Sequence, residues 1–417
     1  MITRRALVGA LSARKVADWV LVERDQELAF ASDAQLRRTE QRTRWSLVVH
    51  HDVPRGRGTA RLEIGTRQGD AKDVVDQALA LASAAIGPPW TTPAAAAPAK
   101  VVIGDDTLAK ADLAAVAAAV LTAARRPAGA TVQLGIDVLR ERVNVQAESG
   151  FHTAWLATRL DLHTLVAVGD HSLEVAREAR RRADFEVELG DALSAAATDL
   201  GLLGSAAAPA PGKVSVILRA DALLHGGGLG MWNVFADHAS AETERQGLTR
   251  YRQGTLIAAG VDQVSEPLTI TSDGALDYAT RSAPIGDEGE GVRRFPLIEH
   301  GIAVGLGLSV HEAARRKTDP NGGVRNLVVS RGTWNETRPV GRVIEVRRLR
   351  SLSIDPYTGD ASLEIGLGLE GDKPITGGTL RLDLIATLAH ARRSATTLRR
   401  GPYIGPSAVL IEDADLA

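Results

Sequence analysis

The chain has 417 residues, with 49 Lys and Arg against 51 Asp and Glu, for a net charge of −2. Hydrophobic residues at 44% and charged residues at 24% describe a soluble globular protein with room for two or three domains. The balanced charge argues against nucleic acid as an obligatory partner, and the absence of cysteine excludes disulfides, thiolate metal ligands and a cysteine nucleophile.

Residues 1–90 read as a first α+β block. Arg4 and Arg5 precede an apolar stretch over 6–13, and Arg14-Lys15 follow at once, so the segment reads as an amphipathic helix rather than an export signal. Strand patterns follow at 19–23, 45–53 and 59–65. A helix is predicted over 71–86, with Val75, Leu79, Ala82 and Ile86 on one stripe and Gly87-Pro88-Pro89 as its stop. Residues 91–99, rich in proline and alanine, read as a linker with nothing to bury.

A second α+β block is expected over 100–205. It holds a helix over 108–126 ending at Arg125-Arg126-Pro127, strands over 131–147 and 152–168, and a helix over 183–203. A second linker, 206–212, leads to a third block over 213–417. This opens with a strand at 214–218 and turns β-rich, with strand patterns near 268–271, 302–308, 325–330, 343–347, 362–369 and 379–385 separated by Gly and Asp. Strands and helices do not alternate regularly, so the fold class is α+β: a two-part N-terminal α+β region and a β-rich, largely antiparallel C-terminal domain. The basic runs at 180–182 and at Arg347, Arg348 and Arg350 read as solvated faces. No apolar run approaches the ~18 residues of a membrane span, and a cytoplasmic location is expected.

Several motifs carry less than their spelling implies. Gly366, Gly368 and Gly371 match a dinucleotide-binding spacing, but Asp372-Lys373-Pro374 follows where a helix N-terminus is required. His225-Gly226-Gly227-Gly228 is spelled like a lipase oxyanion loop, yet the chain has no G-x-S-x-G elbow, and the sequence around Ser309 lacks the closing glycine. His50 and His51 sit in a strand, point to opposite faces and read as surface residues rather than a chelating pair. His225, Asp237, His238, Glu242 and Glu244 are the side chains available for a carboxylate–histidine metal site; the sequence does not show that they converge.

The most informative segment is 221–233. An apolar lead-in delivers His225, and Gly226 and Gly230 then occupy the places where a zinc peptidase helix needs a glutamate base and a second histidine. Further on, residues 282–289 contain Asp287-Glu288-Gly289, followed by Leu297-Ile298 and Gly301, then Asn326-Leu327, Thr358-Gly359-Asp360 and the tail Gly405-Pro406-Ser407. In order and spacing these landmarks resemble the TldD/PmbA family, once called modulators of DNA gyrase, over essentially the whole chain. An extra Glu290-Gly291 departs from the family pattern.

The resemblance implies paired subunits, one carrying His-Glu-x-x-x-His and a later cysteine as a zinc site, the other completing the enzyme without them. Laid on that motif, this chain keeps only the first histidine and looks like the PmbA (TldE) type. The expectation is therefore a non-catalytic subunit with no catalytic or metal-binding residues of its own. Zinc would be held by a TldD-like partner, and the substrate would be a peptide or small amide. Met231, Trp232, Arg250 and Tyr251, near the degenerate motif, are candidates for a cavity wall or the subunit interface, together with His225, Asp287 and Glu288. The alternatives are an independent hydrolase with a non-standard site and a regulatory binding protein.

Overall fold

The computed structural model describes residues 2–32, 35–65, 69–124 and 129–417. Thr3 caps the helix α1 (Arg4–Ala13), which leads into three strands, β1 (Trp19–Ser32), β2 (Gln35–Val53) and β3 (Gly56–Gly65). Asp70 caps α2 (Ala71–Ala84), and a two-residue strand β4 (Ile86–Gly87) follows. The predicted 108–126 helix is two pieces, α3 (Asp106–Ala109) and α4 (Leu113–Ala123), because Asp112 starts a new cap by accepting from the Ala114 amide. Its expected end at 125–127 lies outside the described residues. Strands β5 (Thr131–Ala147), β6 (His152–Val168) and β7 (His171–Ala179) and helix α5 (Arg182–Leu203) complete this half.

All seven strands form one antiparallel sheet in the order β4-β3-β2-β1-β5-β6-β7. β1 pairs with β5 from Val20–Ala147 to Ser32–Gly135, so the first two sequence blocks share a continuous sheet. Side-chain alternation places Trp19 and Leu21 against α1 and α2, while Val20 and Val22 face the other way and pack on Ile285 of the C-terminal half. The 91–99 segment has no regular structure but is not a free tether. The Ala96 amide donates to the Gly289 carbonyl at 3.3 Å, and the Ala99 amide to Pro284 at 2.7 Å. Trp90 lies between His50 and His311, with the Arg57 guanidinium over its ring.

The C-terminal half runs β8 (Gly212–Arg219), α6 (Ala220–Leu223), α7 (Asn233–His238), α8 (Ala241–Arg245), β9 (Ile270–Asp273), β10 (Arg294–Glu299), β11 (Ile302–Ala303), α9 (Val310–Arg316) and β12 (Asn326–Val329). Then come β13 (Val343–Ile354), β14 (Asp360–Glu370), β15 (Lys373–Ile375), β16 (Thr379–Asp383), α10 (Leu384–His390), β17 (Arg392–Arg393), β18 (Thr397–Arg400), β19 (Tyr403–Pro406) and β20 (Ala408–Leu416). One sheet has the order β11-β10-β9-β12-β19-β18. In the other, β13-β8-β20-β16-β14 closes on itself through an additional β13–β14 pairing. Only β8–β13 and β12–β19 are parallel among these strand pairs; the other strand pairs are antiparallel, as the turn-rich sequence predicts. A single apolar core joins both sheets around Trp232, Phe235 and Tyr403. Among the described residues no helix is long and apolar enough to cross a membrane.

The dinucleotide-like glycines lie in β14 and the turn after it. A Cβ on Gly366 would stand 2.9 Å from the Arg350 amide, and one on Gly368 3.0 Å from the Glu345 carbonyl, so these glycines let strands approach closely. The predicted 302–308 strand shrinks to two residues, and 384–390 is a helix capped by Asp383 rather than the end of a strand.

Candidate functional site

The His225 segment is a run of left-handed turns. After α6 the chain takes φ +77°, +82° and +59° at Gly226, Gly227 and Gly228, and +53° at Gly230. Such angles are cheap only for glycine. At Gly230 space is also lacking, because an added Cβ would sit 2.2 Å from the Leu223 carbonyl oxygen and 2.4 Å from the Leu224 Cα. In His-Glu-x-x-x-His the two histidines stand five positions apart, and the corresponding positions in this chain are His225 and Gly230. Here the backbone is not helical, and a second histidine cannot stand at 230 without moving α6. The residues present do not fit zinc.

His225 itself is half-buried and lines a cavity of about 640 Å³ with Leu224, Glu174, His163 and His171. Burial lowers its pKa, against a smaller opposing effect of Glu174, which favours the neutral ring. Beside it, Asp221 accepts from Arg177 at 2.7 Å and Arg400 at 2.6 Å, and Arg348 lies 2.8 Å from its other oxygen. Burial opposes ionisation, but the three guanidiniums outweigh it and hold Asp221 at a pKa of about 2. Arg348 also donates to buried Asp199 at 2.7 Å. The expectation of solvated basic faces is therefore corrected at Arg348 and at Arg180, which are 6% and 8% exposed. Each basic run supplies one arginine to the interior.

The other candidates separate. Met231 and Trp232 are fully buried and Tyr251 is 4% exposed, with its hydroxyl against the carbonyls of Leu297 and Gly305. These three are core residues, and the wall or interface assignment does not hold for them, because their apolar bulk is spent joining the two sheets. Arg250 is at the surface in a two-bond contact with Asp383 at 2.7 and 2.8 Å. His238 is buried, bonded through Nδ1 to Thr249 at 2.8 Å, while Asp237 accepts from Asn233 at 2.7 Å and Glu244 from Arg316 at 2.6 Å. They do not converge, and among the described residues no group of three or more His, Cys, Asp or Glu is placed to hold a metal ion. His50 is not a surface residue: it is 4% exposed, bonded through Nδ1 to Thr59, and burial lowers its pKa. Ser309 caps α9, so its hydroxyl is engaged with the Glu312 amide.

Asp287 and Glu288 do line a cleft, of about 710 Å³, between the acidic loop, α7 and α8, and the 322–325 turn. Asp287 pairs with Arg24 at 2.6 Å and Glu288 with Arg61 at 2.9 Å, so both acids clamp the loop to the N-terminal sheet. Glu290, the departure from the family pattern, folds back beneath the loop and accepts from the Glu288 amide at 2.8 Å. A Cβ on Gly286 would stand 1.7 Å from its carboxyl oxygen, so a larger residue there would displace the Glu290 side chain. Burial raises Glu290 to a pKa of about 7. Sequence reasoning missed Glu290 as a cleft residue, as well as Arg281 and Arg325.

Residues 211–417 match the model of the PmbA/TldA metallopeptidase C-terminal domain, and the chain belongs to this family. Solved structures share the fold over its length. A Thermotoga maritima protein described as a modulator of DNA gyrase has a TM-score of 0.78 at 16% identity, covering 100% of both chains. TldE of Thermococcus kodakarensis has a TM-score of 0.75 at 16% identity, covering 99% of this chain and 100% of its own. A Bacteroides thetaiotaomicron protein also described as a modulator of DNA gyrase has a TM-score of 0.74 at 14% identity, covering 100% of both chains. No curated protein is detectably similar in sequence.

Proposed function

We propose that this chain is the non-catalytic subunit of a cytoplasmic, heterodimeric TldD/TldE-type metallopeptidase. A TldD-like partner holds zinc and the general base, and this chain contributes a wall of the chamber that receives unfolded or modified peptides, or small amides. The observation that carries the reading is Gly230: its left-handed backbone, and the 2.2 Å that would separate an added Cβ from the Leu223 carbonyl oxygen, argue against the second histidine of a His-Glu-x-x-x-His site there. A closed chamber selects for chains that can enter it and holds them away from bulk water, which gives selectivity without sequence-specific contacts.

Co-expression with a homologue carrying His-Glu-x-x-x-His tests this. The expected result is a stable complex, zinc bound only by the partner, and peptide or amide hydrolysis that needs both chains. Hydrolysis by this chain alone at the rate of the mixture overturns the proposal. So does about one zinc per isolated chain that survives dialysis and is lost in His225→Ala. In the complex, His225→Ala is expected to change kcat less than about tenfold, since loss of a general acid or base costs roughly 10²–10⁴-fold.

A further inference from the structure

The cleft beneath the acidic loop continues past Asp287, Arg281 and Arg325 into a second hollow of about 480 Å³ against the N-terminal sheet. Part of its lining is apolar, from Leu139, Trp155, Ile285 and Val324. Around this stand five arginines, Arg24, Arg159, Arg180, Arg281 and Arg325, but only two carboxylates, Glu141 and Asp287. Both carboxylates are already taken by Arg24, at 3.2 and 2.6 Å, and Arg159 pairs outside the hollow with Asp161 at 2.7 Å.

Three guanidiniums are left without a carboxylate. Arg180 is buried and spends its N–H groups on backbone carbonyls, among them Ala279 at 2.9 Å and Thr280 at 2.8 Å, which fastens the two halves of the chain together. Arg325 is held differently. Its Nε donates to Gly322 at 2.9 Å and its Nη1 to the Arg281 carbonyl at 3.4 Å, while Nη2 has no partner among the described residues. Burial depresses its pKa, only partly offset by Glu290 and Asp287, so this cation lacks close compensation. The Arg281 side chain likewise has no hydrogen bond or ion pair among the described residues; Asp237 interacts with it across the first cleft, which Glu242, Asp287, Glu288, Glu290 and Glu312 also line. Two guanidiniums that line one hollow, one of them half-buried and neither in an ion pair among the described residues, are stabilised by an anion, and their planar forks match a carboxylate.

We propose that Arg281 and Arg325 form a carboxylate-binding subsite whose apolar lining takes the side chain attached to that carboxylate. The ligand class is an acyl amino acid or the C-terminal residue of a peptide with an apolar or aromatic side chain. This class rests on reading the cleft as part of the peptide chamber. The binding measurement itself uses this chain without a partner, so failure of the subsite and failure of pairing are read separately.

Titration calorimetry on the purified full chain tests it, with N-acetyl-L-phenylalanine, N-acetyl-L-phenylalanine amide, acetate and inorganic phosphate as probes. The acid is expected to bind at least about tenfold more tightly than the amide, the scale of a lost charge-assisted hydrogen bond. It is also expected to exceed acetate and phosphate, which lack the apolar group. Arg281→Gln and Arg325→Gln should each weaken the acid about tenfold or more without changing the amide, and Trp155→Ala should weaken both. Arg281 is exposed, so its variant reports even where Arg325→Gln fails to fold. Absence of binding, equal affinity for acid and amide, or full affinity in Arg281→Gln overturns the subsite. Phosphate binding as tightly as the acid overturns the ligand class.

Discussion

Gly230 offers the sharpest test of why this chain lacks the histidine–glutamate motif. Gly230→Ala adds one methyl at φ +53°, placing it 2.2 Å from the Leu223 carbonyl oxygen and 2.4 Å from the Leu224 Cα. The left-handed conformation alone costs an L-residue roughly 1–2 kcal/mol. The obstacle is backbone of α6, not the end of a flexible side chain, so relief requires a backbone shift of the kind that costs roughly 1–3 kcal/mol. The sum is roughly 2–5 kcal/mol. Gly226→Ala is the matched control: φ is +77° there, but nothing lies within 4 Å of the added methyl, so only the conformational cost of roughly 1–2 kcal/mol remains. Urea or thermal unfolding of the full-length chain measures both. The expected order is wild type, then Gly226→Ala, then Gly230→Ala, the last lower by at least about 1 kcal/mol than the control. For the same reason Gly226→Glu/Gly230→His should not acquire stoichiometric zinc. Equal stability of the two alanine variants, or tight zinc binding by the double variant, would refute the reasoning.

Three further outcomes follow from the buried charges and the core. Asp221→Asn leaves Arg177, Arg348 and Arg400 facing a neutral amide, with an expected loss of roughly 3–5 kcal/mol in denaturant unfolding. Because the folded-state pKa of Asp221 is depressed to about 2, its contribution is complete above the ordinary carboxylate pKa. That contribution is lost as pH falls from about 4 to about 2, and the variant should lack this component of acid destabilisation. Glu290 has the opposite sign: its pKa is raised to about 7 by burial, so the native state holds the proton that the unfolded chain releases, and stability declines as pH rises from about 4.5 to 7. Glu290→Gln should therefore raise the Tm at pH 8 and leave it nearly unchanged at pH 4; a Tm lowered at pH 8 would contradict the assignment. Trp232→Ala should cost about 3–5 kcal/mol in unfolding, because the ring is fully buried and stacks at 6.0 Å on both Phe235 and Tyr403.

Much of the local structure was readable from period and caps. The 131–147 and 152–168 strands have the expected bounds, and the 183–203 helix begins one residue early, because long alternating and amphipathic runs leave little choice. The first hairpin was underestimated. Residues 35–44 are polar and mostly exposed, so they carry no hydrophobic alternation, yet continuous pairing with β1 extends the ladder through them. The site divides along the same line. That glycine stands at 226 and 230, after the one histidine of the segment, needs only residue identity. The burial of Met231, Trp232 and Tyr251 does not follow from identity, since an aromatic residue near a motif serves a wall or a core equally well.

Residue identity and order alone determined the α+β class, the family and the absence of a second motif histidine and of any cysteine, because those properties are written one residue at a time. Tertiary structure decided which charges are compensated. Arg180 and its neighbours Arg181 and Arg182 look alike in the chain, but only Arg180 turns inward, onto carbonyls of a loop about 100 residues away. Arg281 and Arg325, 44 positions apart, meet because β9 and β12 pair and bring their flanking loops together at the N-terminal sheet. A charge's partner is set by distance and by exclusion of water, and both arise only when segments remote in sequence pack against each other.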